Sequence, residues 1–217
     1  MEPYEEPYEV ARVVFDRVMN YCTRAHDNTL ECMLNHSPDQ LSVFIDAYLN
    51  EEENNDLEKA IESSDTFWDG VEKEYEALWK EWWSEKLAYS LGHLILAEEA
   101  ESIAKDDNLD DASKASRLKA YAQVFKEFAD AIKRALQNQK PLSSANLHKW
   151  FERLAEFAPS NRSEYIKEAE YYLDYYSISD NVDQLNTLNA LLSYINNILI
   201  KIEYVYLPKL GALMNKR

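Results

Sequence analysis

The chain contains two cysteines, ten residues apart, and each is followed four residues later by a histidine. The pairs are Cys22 with His26 and Cys32 with His36. Side chains at i and i+4 share one face of a helix, and thiolate and imidazole are ligands that zinc prefers. All four side chains can meet at one tetrahedral zinc ion only if the chain turns sharply between the pairs. The segment able to provide that turn is Asp27-Asn28-Thr29.

The alternative is a single helix that runs through both pairs. Cys22 and Cys32 would then lie about 15 Å apart, too far to form a disulfide, and would act as small buried apolar side chains. Structural zinc modules also favour cysteines two to four residues apart, which this chain lacks. We favour the buried interpretation, because an apolar stripe continues through the proposed turn at Val10, Val14, Val18, Tyr21, Ala25, Thr29 and Cys32.

Other motifs that carry chemistry are missing from the sequence. No histidine follows a glutamate at the Glu-x-x-His spacing of di-metal carboxylate bundles, and the three glycines are isolated, which excludes a glycine-rich phosphate loop. A helical-bundle enzyme or small-ligand-binding protein would therefore depend on a pocket between helices. That alternative predicts that the two Cys–His pairs, or His93 with Glu98, converge in space.

The acidic side chains are concentrated in the first half of the chain. The net charge is −17; residues 1–110 carry 28 acidic and 8 basic side chains, a net −20, whereas residues 111–217 carry 12 and 15, a net +3. Such a surface repels phosphates, so we expect no direct nucleic-acid binding. A protein that mimics nucleic acid and inhibits a basic protein is a further alternative, and it predicts partner binding that weakens steeply with salt.

Nothing in the sequence resembles a targeting or membrane segment. The first ten residues lack the basic and apolar regions of a signal peptide. The most apolar stretch, residues 188–207, is interrupted by amides and charges such as Asn197 and Lys201. We therefore expect no membrane association and a cytoplasmic protein.

The fold class follows from composition and from helix-start patterns. Three glycines and six prolines are few for 217 residues, and no segment alternates like a strand. We expect an all-α single domain, a bundle of about seven helices with four long helices forming the core and a weak subdivision near 106–111. The predicted long helices are 8–35, with a break near residue 28 as an option, 71–105, 111–139 and 181–207; shorter ones cover 38–52, 144–157 and 162–177, and another begins at 56.

The last predicted helix has the most regular pattern and should end ahead of Pro208. Its apolar residues follow 3–4 spacing at Leu185, Leu188, Leu192, Ile195, Leu199, Ile202 and Tyr206, and Leu191, Ile198 and Val205 widen that seam. A seam of this width predicts a helix buried over about half of its circumference, as in the centre of a bundle.

The aromatic residues point to contact surfaces. Neighbouring positions on a helix diverge by about 100°, so the tryptophans of 79–83 and the tyrosines of 171–176 cannot all face one core. Tyrosine and tryptophan are enriched at protein interfaces. We therefore predict a non-enzymatic protein that acts through contacts with a protein partner and forms homo-oligomers. The predicted contact residues are Trp79, Trp83, Tyr172 and Tyr176.

Overall fold

The computed structural model describes residues 6–25, 28–41, 65–95 and 97–216. Within these ranges the chain is helical and contains no strand, so the predicted all-α bundle is confirmed. A 3₁₀ turn lies at Pro38–Gln40 and a π-helical turn at Ile202–Tyr206. The α-helices are α1 (Pro7–Ala25), α2 (Thr29–Asn35), α3 (Asp65–Ile95), α4 (Ala97–Ala104), α5 (Asp111–Gln137), α6 (Ser144–Ala155), α7 (Arg162–Ile178), α8 (Asn181–Lys201) and α9 (Leu207–Met214).

The chain divides into two compact units, Met1–Trp83 and Ser84–Arg217. The boundary falls inside α3 and not at residues 106–111, where the sequence indicated a weak subdivision. The predicted helix from 56 and most of the predicted helix 38–52 lie outside the described residues, so only the 3₁₀ turn at the start of the latter is seen.

In the first unit, α1, α2 and the beginning of α3 each bury an apolar face. Gly70 lies within α3 and does not interrupt it. A Cβ atom at Gly70 would lie 2.9 Å from Cγ of Pro7, so the missing side chain lets the start of α1 approach α3 closely. The buried residues of this unit include Val10, Val14, Val18, Leu30, Met33, Val71, Tyr75, Trp79 and Trp83.

The core of the second unit is organised around α5. The helices α4, α6, α8 and α9 each pack against it. The ring of Phe128 meets that of Phe151 from α6 edge-on, with 5.9 Å between centroids. Full burial of an aromatic side chain stabilises a fold by roughly 1.5–3 kcal/mol, so the buried aromatic residues of α5 contribute much of the stability of the unit. The residues of α5 that are fully buried in this core include Leu118, Tyr121, Phe125, Phe128 and Ile132.

Several helices begin at a side chain that caps the first turn. The capping residues are Asn28, Asp110, Ser143 and Asp180. The break near residue 28, which the sequence offered as an option, is the arrangement observed. The helix α8 begins at Asn181, as predicted, and the Asp180 carboxylate accepts the Asp183 N–H as its cap. Asn161 precedes α7 without a side-chain capping bond.

The prediction that the last helix ends ahead of Pro208 is wrong. A proline has no N–H and its ring clashes with the carbonyl four residues earlier, which usually ends a helix. Here the Leu207 N–H donates to the Ile202 carbonyl, five residues back, and the wider π turn lets α9 begin with Pro208 in its first turn. The turn also keeps Ile198, Ile202 and Leu210 buried on the same side of the helical rod.

The loop after α5 holds the single non-glycine residue with positive φ among those described, Gln139 at 50°. The Lys140 N–H donates to the Ala135 carbonyl and the Gln139 N–H donates to the Leu136 carbonyl. These two bonds form a Schellman motif, in which the position of Gln139 favours glycine.

We expect Gln139→Gly to raise the free energy of unfolding by about 0.5–1 kcal/mol, because glycine adopts this left-handed conformation without a Cβ penalty. Urea denaturation monitored by circular dichroism measures the change. The matched control is Gln137→Gly in the last turn of α5, which should lower the same free energy by about 1 kcal/mol. A destabilising effect of both substitutions would contradict the assignment.

Candidate cysteine–histidine site

The chain reverses direction between α1 and α2, so the favoured interpretation of one continuous helix is wrong. The helix α1 ends at Ala25, and Asn28 has extended backbone with φ −117° and ψ 96°. Its Oδ1 accepts the Glu31 N–H at 3.1 Å and starts a new helix. This is the turn that the zinc hypothesis required.

The reversal brings the two cysteines together. Cys22 and Cys32 form a disulfide with their Cα atoms 5.5 Å apart, so the prediction of a separation of about 15 Å is also wrong. Both residues are almost completely buried. Val10, Val14, Val18 and Cys32 of the apolar stripe are buried on two helices packed against each other, whereas Tyr21 of the same stripe is exposed.

His36 lies beside the disulfide at the C-terminal end of α2. Its Nδ1 is 3.9 Å from Sγ of Cys32 and donates to the Cys32 carbonyl oxygen at 2.8 Å. The Tyr21 ring meets the imidazole edge-on, with 5.7 Å between centroids. The Tyr75 hydroxyl donates to the His36 carbonyl at 2.6 Å. These contacts fix both the backbone and the ring of His36.

Two side chains of α3 hold the C-terminal end of α2. In addition to the Tyr75 bond, the indole N–H of Trp79 donates to the Met33 carbonyl at 2.9 Å. The last carbonyl groups of a helix lack their usual partners within the helix, and the Tyr75 bond supplies one for His36. The Met33 carbonyl accepts the Trp79 bond in addition to the His36 N–H. The end of α2 is therefore attached to α3 independently of the disulfide.

The arrangement brings three of the four predicted metal ligands together. One ligand atom from each of Cys22, Cys32 and His36 lies within 4.8 Å of the others. His26, the fourth predicted ligand, lies outside the described residues. Two thiols and an imidazole this close can do thiol–disulfide chemistry and can bind a soft or borderline metal ion such as zinc. In this structure the sulfurs are joined as a disulfide.

The predicted contact residues are mostly buried. Trp79 and Trp83 stack in the core of the first unit, with 4.9 Å between ring centroids and at most 6 % exposure. Tyr176 is fully buried and its hydroxyl donates to the Leu142 carbonyl at 2.7 Å, while Tyr172 is half-buried against the core of the second unit. Three of the four rings are therefore not available as a contact surface, because the helices that carry them bury more than one face.

The second unit also contains a cavity of about 420 Å³ between α4, α5 and the loop after α6. Nη2 of Arg117 donates to the Phe157 carbonyl at 2.7 Å, and its guanidinium carbon lies 5.6 Å from the centroid of the Phe157 ring. Glu99 and Asp106 line the same cavity. Burial raises the pKa of the Glu99 carboxyl above its usual value, and the charge of Arg117 offsets part of that effect.

The structure does not test the predicted pairing of His93 with Glu98. The exposed His93 stacks on Tyr89 with 5.4 Å between ring centroids. The side chain of Glu98 lies outside the described part of the chain.

Comparisons with models of known protein families, with curated protein sequences and with solved structures found no match to this chain. Among the described helices, none combines the length and apolar character that crossing a membrane requires. A disulfide persists in oxidising compartments and is usually reduced in the cytosol, so the cytoplasmic placement stays a prediction.

We expect the disulfide to stabilise the protein by about 2–3 kcal/mol, because it closes a short loop, between positions ten residues apart, in the unfolded chain. Urea denaturation with and without a reducing agent measures this difference. The control is the double variant Cys22→Ser, Cys32→Ser, whose stability should not depend on the reducing agent. An equal response of the variant and the natural chain to the reducing agent would contradict the assignment.

Proposed function

We propose that this protein acts through protein–protein contact and associates with a second copy of itself. The observation that supports the proposal is an exposed row of uncharged residues at four-residue spacing on the C-terminal helical rod. The row, here called the C-terminal apolar row, consists of Ile200, Tyr204, Pro208 and Ala212.

The C-terminal apolar row lies on a helix whose other side is already occupied. Both α8 and α9 pack against α5, and the buried residues of the rod are Ile198, Ile202 and Leu210. Tyr204 is 74 % exposed and Ile200 is 54 % exposed, which are high values for side chains of this size and type. Exposed apolar residues that adjoin one another mark interaction surfaces more often than scattered ones do.

A second copy suits this surface for two reasons. The row contains no charged residue, so two copies can pair across a two-fold axis without placing like charges opposite each other. Together with the exposed Val205, Leu213 and Met214, the row presents on the order of 500 Å² of apolar surface, so a pair would bury about 1,000 Å². That area is the lower limit of a specific interface, and it predicts a reversible dimer.

Salt dependence separates this proposal from the nucleic-acid mimic. An apolar contact persists at high ionic strength, whereas a contact between the acidic first half and a basic groove is screened. Self-association should therefore persist as the salt concentration rises, whereas partner binding by a nucleic-acid mimic should weaken.

Sedimentation velocity between about 5 and 200 μM protein tests the proposal. We expect concentration-dependent dimerisation in both low and high salt, and we expect Tyr204→Lys to weaken it at least about tenfold by placing two ammonium groups in the contact. The matched control is Ile178→Lys, which changes an equally exposed apolar residue at the end of α7 and should leave association unchanged.

A natural chain that stays monomeric over this concentration range would overturn the proposal. Retained dimerisation in Tyr204→Lys would show that a different surface forms the contact. Capture of another protein that Tyr204→Lys abolishes, without self-association, would show that the occupant is a different chain.

A second candidate function, binding of a small ligand, is favoured by the cavity at Arg117. The cavity combines one guanidinium with the carboxyl groups of Glu99 and Asp106, next to the Phe157 ring. A zwitterion matches this combination, with its carboxylate toward Arg117 and its ammonium group toward the carboxyl groups.

Isothermal titration with a panel of amino acids, and with amines and carboxylates that each carry one charge, tests this function. We expect only compounds with both charges to bind, and Arg117→Met to weaken binding at least about tenfold. The control variant Lys119→Met removes a neighbouring exposed cation that does not line the cavity. Absence of binding across the panel would contradict the assignment.

A further inference from the structure

We propose that Cys22, Cys32 and His36 form a zinc site when the disulfide is reduced, so that the same three side chains alternate between a disulfide and a metal centre. The inference rests on their convergence at the α1–α2 turn and is independent of the proposed self-association. The proposed ligand is the divalent zinc ion, and the condition for binding it is reduction of the disulfide.

The distances between the ligand atoms are close to those of a tetrahedral zinc site. With Zn–S near 2.3 Å and Zn–N near 2.0 Å, tetrahedral geometry requires about 3.5 Å between a sulfur and a nitrogen ligand and about 3.8 Å between two sulfurs. Sγ of Cys32 is 3.9 Å from Nδ1 of His36. Since disulfide sulfurs are about 2 Å apart, the sulfurs need to separate by less than 2 Å after reduction, which rotation about the side-chain bonds provides.

The turn keeps the two cysteines adjacent when the covalent bond is absent. Asn28 caps α2, and Tyr75 and Trp79 donate to the carbonyls of His36 and Met33. None of these bonds uses a sulfur atom. Reduction therefore leaves two buried thiols and an imidazole in place, and a preformed ligand set lowers the entropic cost of binding a metal.

The imidazole is already oriented toward the sulfurs. Tyr21 lies edge-on to its ring, and Nδ1 is the atom near Cys32. To bind zinc through Nδ1, the neutral imidazole takes the tautomer that carries its proton on Nε2, and Nδ1 exchanges its hydrogen bond with the Cys32 carbonyl for the metal. Water completes the fourth coordination position.

The chemistry is balanced by a dithiol reductant. The dithiol transfers two electrons and two protons to the Cys22–Cys32 disulfide, which becomes two thiols while the reductant becomes a disulfide. Zinc then displaces both thiol protons and binds the two thiolates and the imidazole. Exchange with a disulfide oxidant, which accepts the two electrons and two protons and becomes two thiols, restores the Cys22–Cys32 disulfide and releases the ion, so metal binding reports the redox state of the pair.

Titration with Zn²⁺ and Co²⁺ under anaerobic conditions tests the proposal. The protein is reduced with a dithiol, freed of reductant and compared with the untreated disulfide form. We expect the reduced protein to bind one ion per chain with at least about 100-fold higher affinity than the oxidised protein, and its cobalt complex to show thiolate-to-metal charge-transfer absorption. The oxidised form is the matched control for weak binding by the acidic surface, because its carboxylates are identical.

Two variants show which residues hold the ion. Cys32→Ser should abolish the charge-transfer absorption and weaken binding at least about 100-fold, and His36→Gln should weaken it about 10- to 100-fold while leaving the disulfide of the oxidised form intact. His93→Gln, an exposed histidine of the second unit, should have no effect. Equal metal affinity of the oxidised and reduced forms, or unchanged affinity in His36→Gln, would overturn the proposal.

Discussion

The surface that the C-terminal rod presents depends on one constraint: the apolar residues before and after Pro208 must pack on the same side. Ile198, Ile202 and Leu210 are all buried, although they are separated by a proline that would normally end a helix. The π turn satisfies both requirements, because its extra residue per turn accommodates Pro208 and restores the register of Leu210. The opposite side of the rod, with Tyr204 at its centre, is consequently left exposed. The proposed contact surface is therefore a direct consequence of how the core is closed.

A similar constraint acts in the first unit. The helix α1 ends at Ala25 and Asn28 caps the start of α2, and this break decides whether the two cysteines lie on one helix or face each other. Once α2 folds back on α1, side chains of α3 bind its final carbonyl groups, and the imidazole of His36 is fixed beside the disulfide. The disulfide and the ring that we propose as a metal ligand are thus held in place by hydrogen bonds that do not use the sulfur atoms. Such an arrangement can change its redox state without losing the geometry of the site.

The sequence was sufficient for local features and insufficient for those that depend on distant contacts. The all-α class and the start of the last predicted helix at residue 181 follow from composition and periodicity, and both were predicted, whereas a break near residue 28 was only an option beside the favoured continuous helix. The disulfide was not predicted, since the apolar stripe of α1 and α2 has the same sequence pattern whether one helix continues or the chain reverses direction. Trp79 and Trp83 were predicted to lie on a contact surface. The hydrogen-bond partner of Trp79 is the Met33 carbonyl, which lies 46 residues away in the sequence, and helical periodicity does not indicate so distant a contact. Pro208 was interpreted as a stop, since a π turn leaves no sequence pattern that distinguishes it from a helix end.

The central claim is that the C-terminal apolar row is the contact between copies, and photo-crosslinking from within the row tests it most directly. A photoreactive phenylalanine analogue replaces Tyr204, the most exposed ring of the row, and in a second preparation it replaces Tyr171, an exposed ring on α7. Irradiation at a concentration where the protein self-associates should give a covalent dimer from position 204, with the crosslink mapped by mass spectrometry to residues of the row in the other copy. Position 171 should give none. Crosslinks from 171 and not from 204, or monomer from both, would contradict the account.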